Sequence, residues 1–331
     1  MPRLCMTVVA AAFFAALALA AEDEPAKSRP ASRPTAVRPS LAKALAELKD
    51  PPDWFADTKV DWDTRRPWKE ARLEVRRLLA GNDDARARQA VKLTWLYRRK
   101  GDIGNGHEWP LYLFMGGQMA WAVREYPASL AKTAGRGPTH EYLCFASCYA
   151  WFGEWEKSLA ILDRAQKDPQ RPPWRTAALA KIHEHRGDVY AAMGQPDKAR
   201  SEYAAAADLY PKSEQPNGRN TLPAQVDRVR AKVELLGAKS LADVKLTDGT
   251  YRSVVPGYSK DITVTVVVAA GRIADVKVLS AESADRGASR TIPRRIVEAN
   301  SLKVDAISGA TVTTQAIVIG AYRALKQAGL E

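Results

Sequence analysis

The spacing of hydrophobic residues divides the chain into two parts. Up to Gly237, apolar positions mostly recur every three or four residues, which predicts amphipathic helices. Beyond Gly237, threonine and valine alternate in residues 262–269, which is the pattern of a half-buried strand. The sequence therefore predicts a multidomain protein in which a helical region, residues 41–237, precedes a small α+β domain, residues 243–331.

Capping residues and helix breakers divide the helical region into elements. Asn82 or Asp83 is the predicted N-cap of a helix that runs to about residue 99. Gly116 and Gly117 weaken the helix in which they lie. The other helices predicted in this part cover residues 41–48, 71–79 and 108–125.

Small and aromatic residues in the second half of the helical region fall at fixed spacings. Glycine and alanine let two helices approach closely, tyrosine fills the space between them, and a proline ends the second helix. The positions are Gly187, Tyr190, Gly194, Ala199, Tyr203, Ala206 and Pro211. A weaker upstream copy has Ala146, Tyr149, Gly153, Trp155, Leu162 and Ala165, with a departure at Ser158.

These spacings resemble the tetratricopeptide unit, a helix-turn-helix of roughly 34 residues. The resemblance extends over about residues 139–237, where residues 224–236 are the predicted closing helix of the stack. Such units usually bind partner proteins. The resemblance therefore implies a docking role for the helical region rather than a catalytic one.

The segment after Gly237 is ordered as strands, a short helix, an extended segment and a long helix. Ala270 and Gly271 form a predicted hairpin turn, and Pro293 is the predicted start of the short helix. The predicted strands are residues 251–255, 262–269 and 272–279, and the predicted helices are residues 292–299 and 312–326.

The first 40 residues have the pattern of a targeting segment and a tether. Arg3 precedes an apolar run, and a small-x-small pattern ends at Ala20, so residues 1–20 are a predicted secretory signal peptide. Residues 21–40 are rich in proline and alanine and predict a disordered linker. No later segment is as long and apolar as a membrane span, which needs roughly 20 residues. We expect export to the periplasm or the extracytoplasmic side of a bacterial membrane.

Charge and cysteine content narrow the classes of function. The 331 residues carry a formal charge of +12. Export and the dispersed charge argue against nucleic acid as the partner, while docking to an acidic protein or an anionic membrane surface stays open. Cys144 and Cys148 are interpreted as two buried helix residues, and no C-x-x-C-H string for a c-type haem is present. The four histidines have no recognised metal spacing, so no metal site is predicted.

Residues 305–311 read DAISGAT directly before the last helical pattern. A helix start offers backbone N–H groups and a positive dipole end, which suit a phosphate group. Ser308 is the predicted N-cap, and the small residues Gly309 and Ala310 leave the Thr311 hydroxyl open to another molecule. Taken alone, the string also fits a simple capped turn.

The wider segment resembles the FMN-binding domain family, which includes the covalently flavinylated subunits of the Rnf and sodium-pumping NADH:quinone oxidoreductase complexes. The matching positions are Asp248, Gly249, Tyr251, Gly257, Tyr258, Ile262, Val264, Val266, Gly271, Ile273, Val276, Val278, Ile292, Pro293, Ile296, Val297, Val304, Asp305, Ser308, Gly309, Ala310, Thr311 and Thr313. In that family, a magnesium-dependent flavin transferase takes FMN from FAD, joins its phosphate to the last hydroxyl of the string, and releases AMP.

The resemblance implies that Thr311 carries covalent FMN and that Asp305, Ser308, Gly309 and Ala310 are elements of the string read by the transferase. Gly257 and Tyr258 are candidates for the flavin's environment. A turn with a core aromatic residue explains those two equally well.

Two arginines on the predicted short helix are a further candidate. Arg294 and Arg295 could offset the charge of the phosphate or the reduced flavin, although an exposed helix face is the simpler interpretation.

The functional expectation is an exported electron carrier rather than a stand-alone enzyme. A flavin transferase would mature it, and unidentified redox proteins would dock on the helical repeats. No catalytic residue is assigned, because the sequence has no dinucleotide fingerprint and no substrate domain of the fumarate reductase kind. Two alternatives remain: a tetratricopeptide adaptor without a redox role, and a non-covalent FMN oxidoreductase.

Overall fold

The computed structural model describes residues 39–80, 83–104, 106–216, 222–238, 240–282, 285–307 and 309–330. Within these residues, ten α-helices precede a three-stranded sheet and two helices follow it. The predicted signal peptide and nearly all of the predicted linker lie outside the described residues. Among the helices that are described, none has the length and apolar character needed to cross a membrane.

The helical region begins with a short capped helix and continues in helices of 8 to 18 residues. Its helices are α1 (Leu41–Ala46), α2 (Trp68–Ala80), α3 (Asp84–Arg99), α4 (Glu108–Met115), α5 (Met119–Thr133), α6 (Thr139–Trp151), α7 (Trp155–Lys167), α8 (Arg175–Ala192), α9 (Pro196–Leu209) and α10 (Leu222–Leu236). The Asp83 side chain accepts a hydrogen bond from the backbone N–H of Arg86, which confirms Asp83 as the N-cap of α3.

The single helix predicted at residues 108–125 is wrong, because two helices occupy that stretch. α4 ends at Met115, Gly117 has a φ of +76°, and α5 begins at Met119. A Cβ atom on Gly116 would lie 2.5 Å from Cγ2 of Val91, so this glycine also lets the end of α4 pack against α3. The glycine pair forms a turn rather than a weak point within one helix.

Large aromatic side chains fill the core of the first helices. The rings of Trp109 and Trp121 meet edge to face with centroids 5.1 Å apart, and Phe55 lies 6.0 Å from Trp121. Cys144 and Cys148 are buried free thiols on α6, as predicted. Burial raises the pKa of the Cys144 thiol to about 12.

Close helix packing occurs at the positions where the repeat spacing predicts it. A Cβ atom on Gly187 of α8 would lie 2.4 Å from the Tyr203 ring of α9, so glycine is required for this approach. In the upstream pair, the hydroxyl of Ser158 is buried and donates a 2.9 Å hydrogen bond to the carbonyl of Ala146. The α6–α7 and α8–α9 hairpins are thus present, whereas their tetratricopeptide nature stays a prediction.

The sheet consists of β1 (Gly249–Pro256), β2 (Asp261–Ala269) and β3 (Arg272–Leu279), antiparallel and in that order. Ala270 and Gly271 both have positive φ, 52° and 72°, which confirms the predicted hairpin turn. The Asp248 carboxylate accepts both of their backbone N–H groups, at 2.9 and 2.8 Å. Alternate residues of β2 are buried, in agreement with the sequence pattern: Ile262, Val264, Val266 and Val268.

The helices that follow, α11 (Ala288–Ala299) and α12 (Thr311–Gln327), pack on the sheet. The backbone of α12 comes very close at Gly320, where a Cβ atom would lie 2.5 Å from Cγ2 of Val264. The prediction that Pro293 begins the short helix is wrong, since Pro293 lies inside α11. Asp285 accepts hydrogen bonds from the backbone N–H groups of Gly287 and Ser289, and this local cap starts α11 earlier.

Helix α10 takes part in two hydrophobic cores. Val226 and Val229 are buried with α8 and α9, while Ala231 is buried with the residues of the sheet. The link continues through polar groups, because the Gln315 side chain of α12 donates to the Asp188 carboxylate of α8 at 3.3 Å. The helical region and the sheet domain are therefore packed together through α10 and α12.

Candidate functional site

The long helix α12 begins at Thr311, directly after the string DAISGA. Ala310 occupies the N-cap position, with no side-chain capping bond, so the prediction of Ser308 as the N-cap is wrong. Ser308 itself lies outside the described residues. The turn is fixed from inside the helix, because the Thr314 hydroxyl accepts the backbone N–H of Ile307 at 3.2 Å.

Thr311 presents its side chain to solvent at the first position of a 17-residue helix. Within the part of the chain that the structure describes, the Thr311 hydroxyl makes no hydrogen bond. The first backbone N–H groups of a helix lack intrahelical acceptors and carry a partial positive charge. An anion linked to this hydroxyl would therefore lie beside favourable donors.

Gly309 is required at its position for two separate reasons. Its φ of +74° lies in the left-handed region, which side chains disfavour. A Cβ atom there would also lie 2.6 Å from Nη1 and 2.8 Å from Cζ of Arg286, so the guanidinium group packs directly against the glycine. The small residue of the string thus makes room for a positive charge.

Arg286 was not singled out by the sequence, because it lies in the turn before α11 and no local pattern marks it. Its backbone φ is +46°, an uncommon value for a non-glycine residue. Its Nη1 atom is buried and has no hydrogen-bond partner among the described residues. Burial lowers the pKa of the Arg286 guanidinium from 12.5 to about 10, against a small opposite influence of Tyr112.

Glu282 connects the loop after β1 with the start of α12. Its carboxylate accepts the backbone N–H groups of Tyr258 and Lys260, both at 2.8 Å, and the hydroxyl of Thr313 at 3.3 Å. A Cβ atom on Gly257 would lie 2.5 Å from Oε1 of Glu282, so the glycine permits this contact. The structure therefore brings Gly257 and Tyr258 to the same end of the domain as the string.

Tyr258 is 57% exposed, so it is not the core aromatic residue of the alternative interpretation. A ring in that position is available to a flat ligand. Glu282, which holds this loop, was missed by the sequence reasoning because its partners are more than twenty residues away along the chain.

The two arginines of α11 have different surroundings. Arg294 is exposed and lies 3.7 Å from Glu298, as expected for an open helix face. The Arg295 guanidinium instead donates a 2.6 Å hydrogen bond to the backbone carbonyl of Asp305. Arg295 therefore holds the first residue of the string in place.

Among the described residues, no group of three or more His, Cys, Asp or Glu side chains is arranged to hold a metal ion. His183 contacts the Glu202 carboxylate at 2.6 Å, and His185 contacts the carbonyl of Lys181.

The loop at Gly257, β2, β3, α11 and nearly all of α12 lie within a segment that matches a known family. Residues 257–326 match the family model of the FMN-binding domain, and the match includes the segments that contain the candidate site. The match covers less than half of the chain. Residues 257–326 are therefore similar to FMN-binding domains.

A curated relative is the NADH:acrylate oxidoreductase of Vibrio harveyi, with 35% identity over 89 residues. The aligned part is 26% of this chain and 9% of that protein, so this chain spans only a small part of the relative's length. No solved structure matches the chain.

The residues at the start of α12 fit the phosphate end of FMN. The phosphate needs a neighbouring hydroxyl for a covalent bond, donors for its oxygens and space for close approach. Thr311, the first N–H groups of α12, Gly309 and the unpartnered Nη1 of Arg286 provide these features. The fit rests on an orphaned buried nitrogen and on a glycine that a side chain could not replace.

Proposed function

We propose that this protein is an exported electron carrier whose FMN is linked covalently through its phosphate to Thr311. The observation that carries the proposal is the exposed Thr311 hydroxyl at the first position of α12, within a domain that matches the FMN-binding family. The function of the relative named above belongs to a much longer protein. We infer that the 89 aligned residues correspond to the flavin domain, and the relative's whole activity is not carried over to this chain.

The attachment reaction that we propose is a phosphoryl transfer with FAD as the donor. The Thr311 oxygen would attack the phosphorus on the FMN side of FAD, so that an O–P bond forms while the phosphoanhydride bond to AMP breaks. AMP would leave, and the hydroxyl proton would pass to a base of the transferase or to water. The resulting phosphodiester would carry one negative charge, which the positive end of α12 would stabilise.

The residues around the string orient the product. Arg295 holds the carbonyl of Asp305, and the Thr314 hydroxyl holds the N–H of Ile307, so the backbone before Thr311 is fixed at two points. The exposed Tyr258 ring, fixed at its backbone by Glu282, is the proposed contact for the flavin ring. Bound FMN would supply the redox chemistry, and the chain would supply attachment and orientation.

The proposed role of the helical region is to dock redox partners. Paired helices such as α8 and α9 support this, as does the excess of basic residues in the whole chain. Crosslinking of the full chain to co-purified redox proteins, with the crosslinked residues mapped by mass spectrometry, tests the docking role. Crosslinks within residues 139–237 are the expected outcome, and crosslinks only in the sheet domain would contradict it.

The attachment is tested by co-expression with a flavin transferase, followed by denaturation, intact-mass measurement and flavin fluorescence. We expect the wild type to gain the mass of one FMN minus water, and Thr311→Ala to gain none. Thr311→Ser retains the hydroxyl and is expected to be flavinylated. Thr250→Ala, at an exposed position of β1, is the matched control and is expected to behave as wild type.

The alternatives give different results in the same experiment. Flavin that binds but is lost on denaturation would indicate a non-covalent FMN protein. A chain that never binds flavin would indicate an adaptor. Either result contradicts the proposed linkage.

A further inference from the structure

The guanidinium of Arg286 has no counter-charge that the described residues provide. We propose that Arg286 is a binding residue for the phosphate of FMN carried on Thr311, and that this phosphate completes its coordination. The inference rests on the proposed function and assigns one side chain to one group of the cofactor.

The Arg286 guanidinium lies close to the predicted attachment residue. The guanidinium lies against Gly309, two residues before Thr311, with Nη1 only 2.6 Å from where a Cβ would stand. A phosphate on the Thr311 oxygen lies within one or two bonds of the side-chain end. Arg286 is therefore next to the segment that would carry the phosphate.

The two carboxylates nearest to Arg286 in the sequence already have other hydrogen-bond donors. Asp285, the neighbour of Arg286, accepts the N–H groups of Gly287 and Ser289 and the Ser289 hydroxyl. Glu282 accepts backbone N–H groups of the loop after β1 and the Thr313 hydroxyl. Both carboxylates nearest in the sequence are thus engaged with other donors. Neither has a hydrogen bond or an ion pair with Arg286 in the described structure.

An unpaired guanidinium in this position costs free energy. Arg286 is half-buried and its Nη1 atom is fully shielded without a partner among the described residues, which is costly for a cation unless an acid or a bound anion pairs with it. The lowered pKa of Arg286 is consistent with a missing counter-charge. Guanidinium groups bind phosphate oxygens with two parallel N–H donors, so a phosphodiester suits the orphaned nitrogen.

The test is a thermal-unfolding comparison of Arg286→Gln in two backgrounds, the flavinylated wild type and the flavin-free Thr311→Ala variant. In the flavin-free background, removal of an unpaired buried charge is expected to leave the melting temperature unchanged or to raise it. In the flavinylated background, the same substitution removes a phosphate ligand and is expected to lower it by about 2 °C or more. Arg290→Gln, at an exposed position of α11, is the control and is expected to have no effect in either background.

The outcomes separate this inference from the proposed function. Intact mass first shows whether FMN is attached, and its absence in the wild type refutes the proposed function and the inference together. FMN attached with equal destabilisation in both backgrounds would show that Arg286 is only structural and would overturn the inference alone.

A second variant is needed if Arg286→Gln cannot be flavinylated. If that substitution prevents flavinylation, Arg286→Lys keeps the positive charge and is expected to restore the added mass. Failure of the lysine variant to restore it would also contradict a role in binding the phosphate.

Discussion

Glu184, which is buried in the helical region, and Arg286, which is half-buried beside α12, have opposite surroundings. Glu184 of α8 is buried, which disfavours its charged form, but Lys232 and Arg228 outweigh that effect and hold the pKa of its carboxyl well below the ordinary value. The Tyr210 hydroxyl also donates to it, at 2.5 Å. Arg286, in contrast, has a buried nitrogen without a described partner.

The Glu184 network is completed by the chain itself. Lys232 also contacts Asp188 at 2.8 Å, and Asp188 accepts from Gln315 of α12. Every charge in this cluster has an opposite charge within hydrogen-bond distance. A saturated network of this kind fixes how α8 and α10 pack, whereas an unsaturated arginine beside an exposed hydroxyl is what a binding site requires. The comparison separates a charge cluster that the chain completes by itself from an arginine that, in our proposal, a phosphate completes.

The largest effect is expected from breaking the saturated network. Glu184→Gln leaves Arg228 and Lys232 buried without their main counter-charge, and we expect the free energy of unfolding to fall by about 3–5 kcal/mol. Denaturant unfolding followed by circular dichroism measures this. Glu47→Gln, at a side chain that is 66% exposed, is the matched control, and an equal loss there would contradict the explanation.

Acid is expected to destabilise the protein by protonating Glu184. Because the pKa of folded Glu184 lies well below its unfolded value of 4.5, its contribution is fully present above pH 4.5 and is lost as pH falls toward the folded pKa. Unfolding curves collected between pH 6 and pH 3 should therefore show a smaller pH dependence in Glu184→Gln than in the wild type. Curves that fall in parallel would remove Glu184 as a source of acid sensitivity.

An intermediate effect is expected from closing the space beside Arg286. Gly309→Ala strains a backbone at φ +74° and displaces the guanidinium, so we expect a loss of about 2–3 kcal/mol in the free energy of unfolding. Gly194→Ala is the matched control, because its φ is +70° but no atom lies within 4 Å of the added Cβ. Its expected loss is about 1 kcal/mol, from backbone strain alone. Equal losses at the two glycines would mean that displacing the Arg286 guanidinium does not lower stability.

The smallest effect is expected at Glu282. Glu282→Gln keeps the shape of the side chain but weakens the charge-assisted bonds to the N–H groups of Tyr258 and Lys260, with an expected loss of about 1 kcal/mol. Amide hydrogen exchange of residues 257–260 should become faster while that of β2 stays unchanged. Unaltered exchange in the loop would show that Glu282 does not hold it. Glu298→Gln, on the exposed face of α11, serves as the control.

Local signals in the sequence were sufficient for most elements. Alternation in residues 262–269 and the pair Ala270–Gly271 predicted β2 and its hairpin, because strand period and turn chemistry are properties of neighbouring residues. A helix after the string was also predicted, at residues 312–326, and the structure begins it one residue earlier, at Thr311.

The two errors in helix bounds have different causes. α4 ends where Gly116 packs on Val91 of α3 and Gly117 has positive φ, whereas Asp285 starts α11 ahead of Pro293 through local bonds to the backbone N–H groups of Gly287 and Ser289. Arg286 and Glu282 reach the candidate site only through the folded arrangement of distant segments. Their roles could not be predicted, because nothing in the local sequence around either residue differs from an ordinary surface turn.

Because α10 belongs to two cores, the flavin domain cannot be separated from the helical region by a single cut. A piece of the chain beginning at residue 243 would lack Ala231, whose side chain is fully buried against the sheet region, and would leave a hydrophobic face of the sheet domain without its cover. A graft that begins with α10, at Leu222, would restore this cover but would expose Val226 and Val229, which are buried against α8 and α9. A flavin domain moved into another protein therefore needs new partners for the residues on both faces of α10.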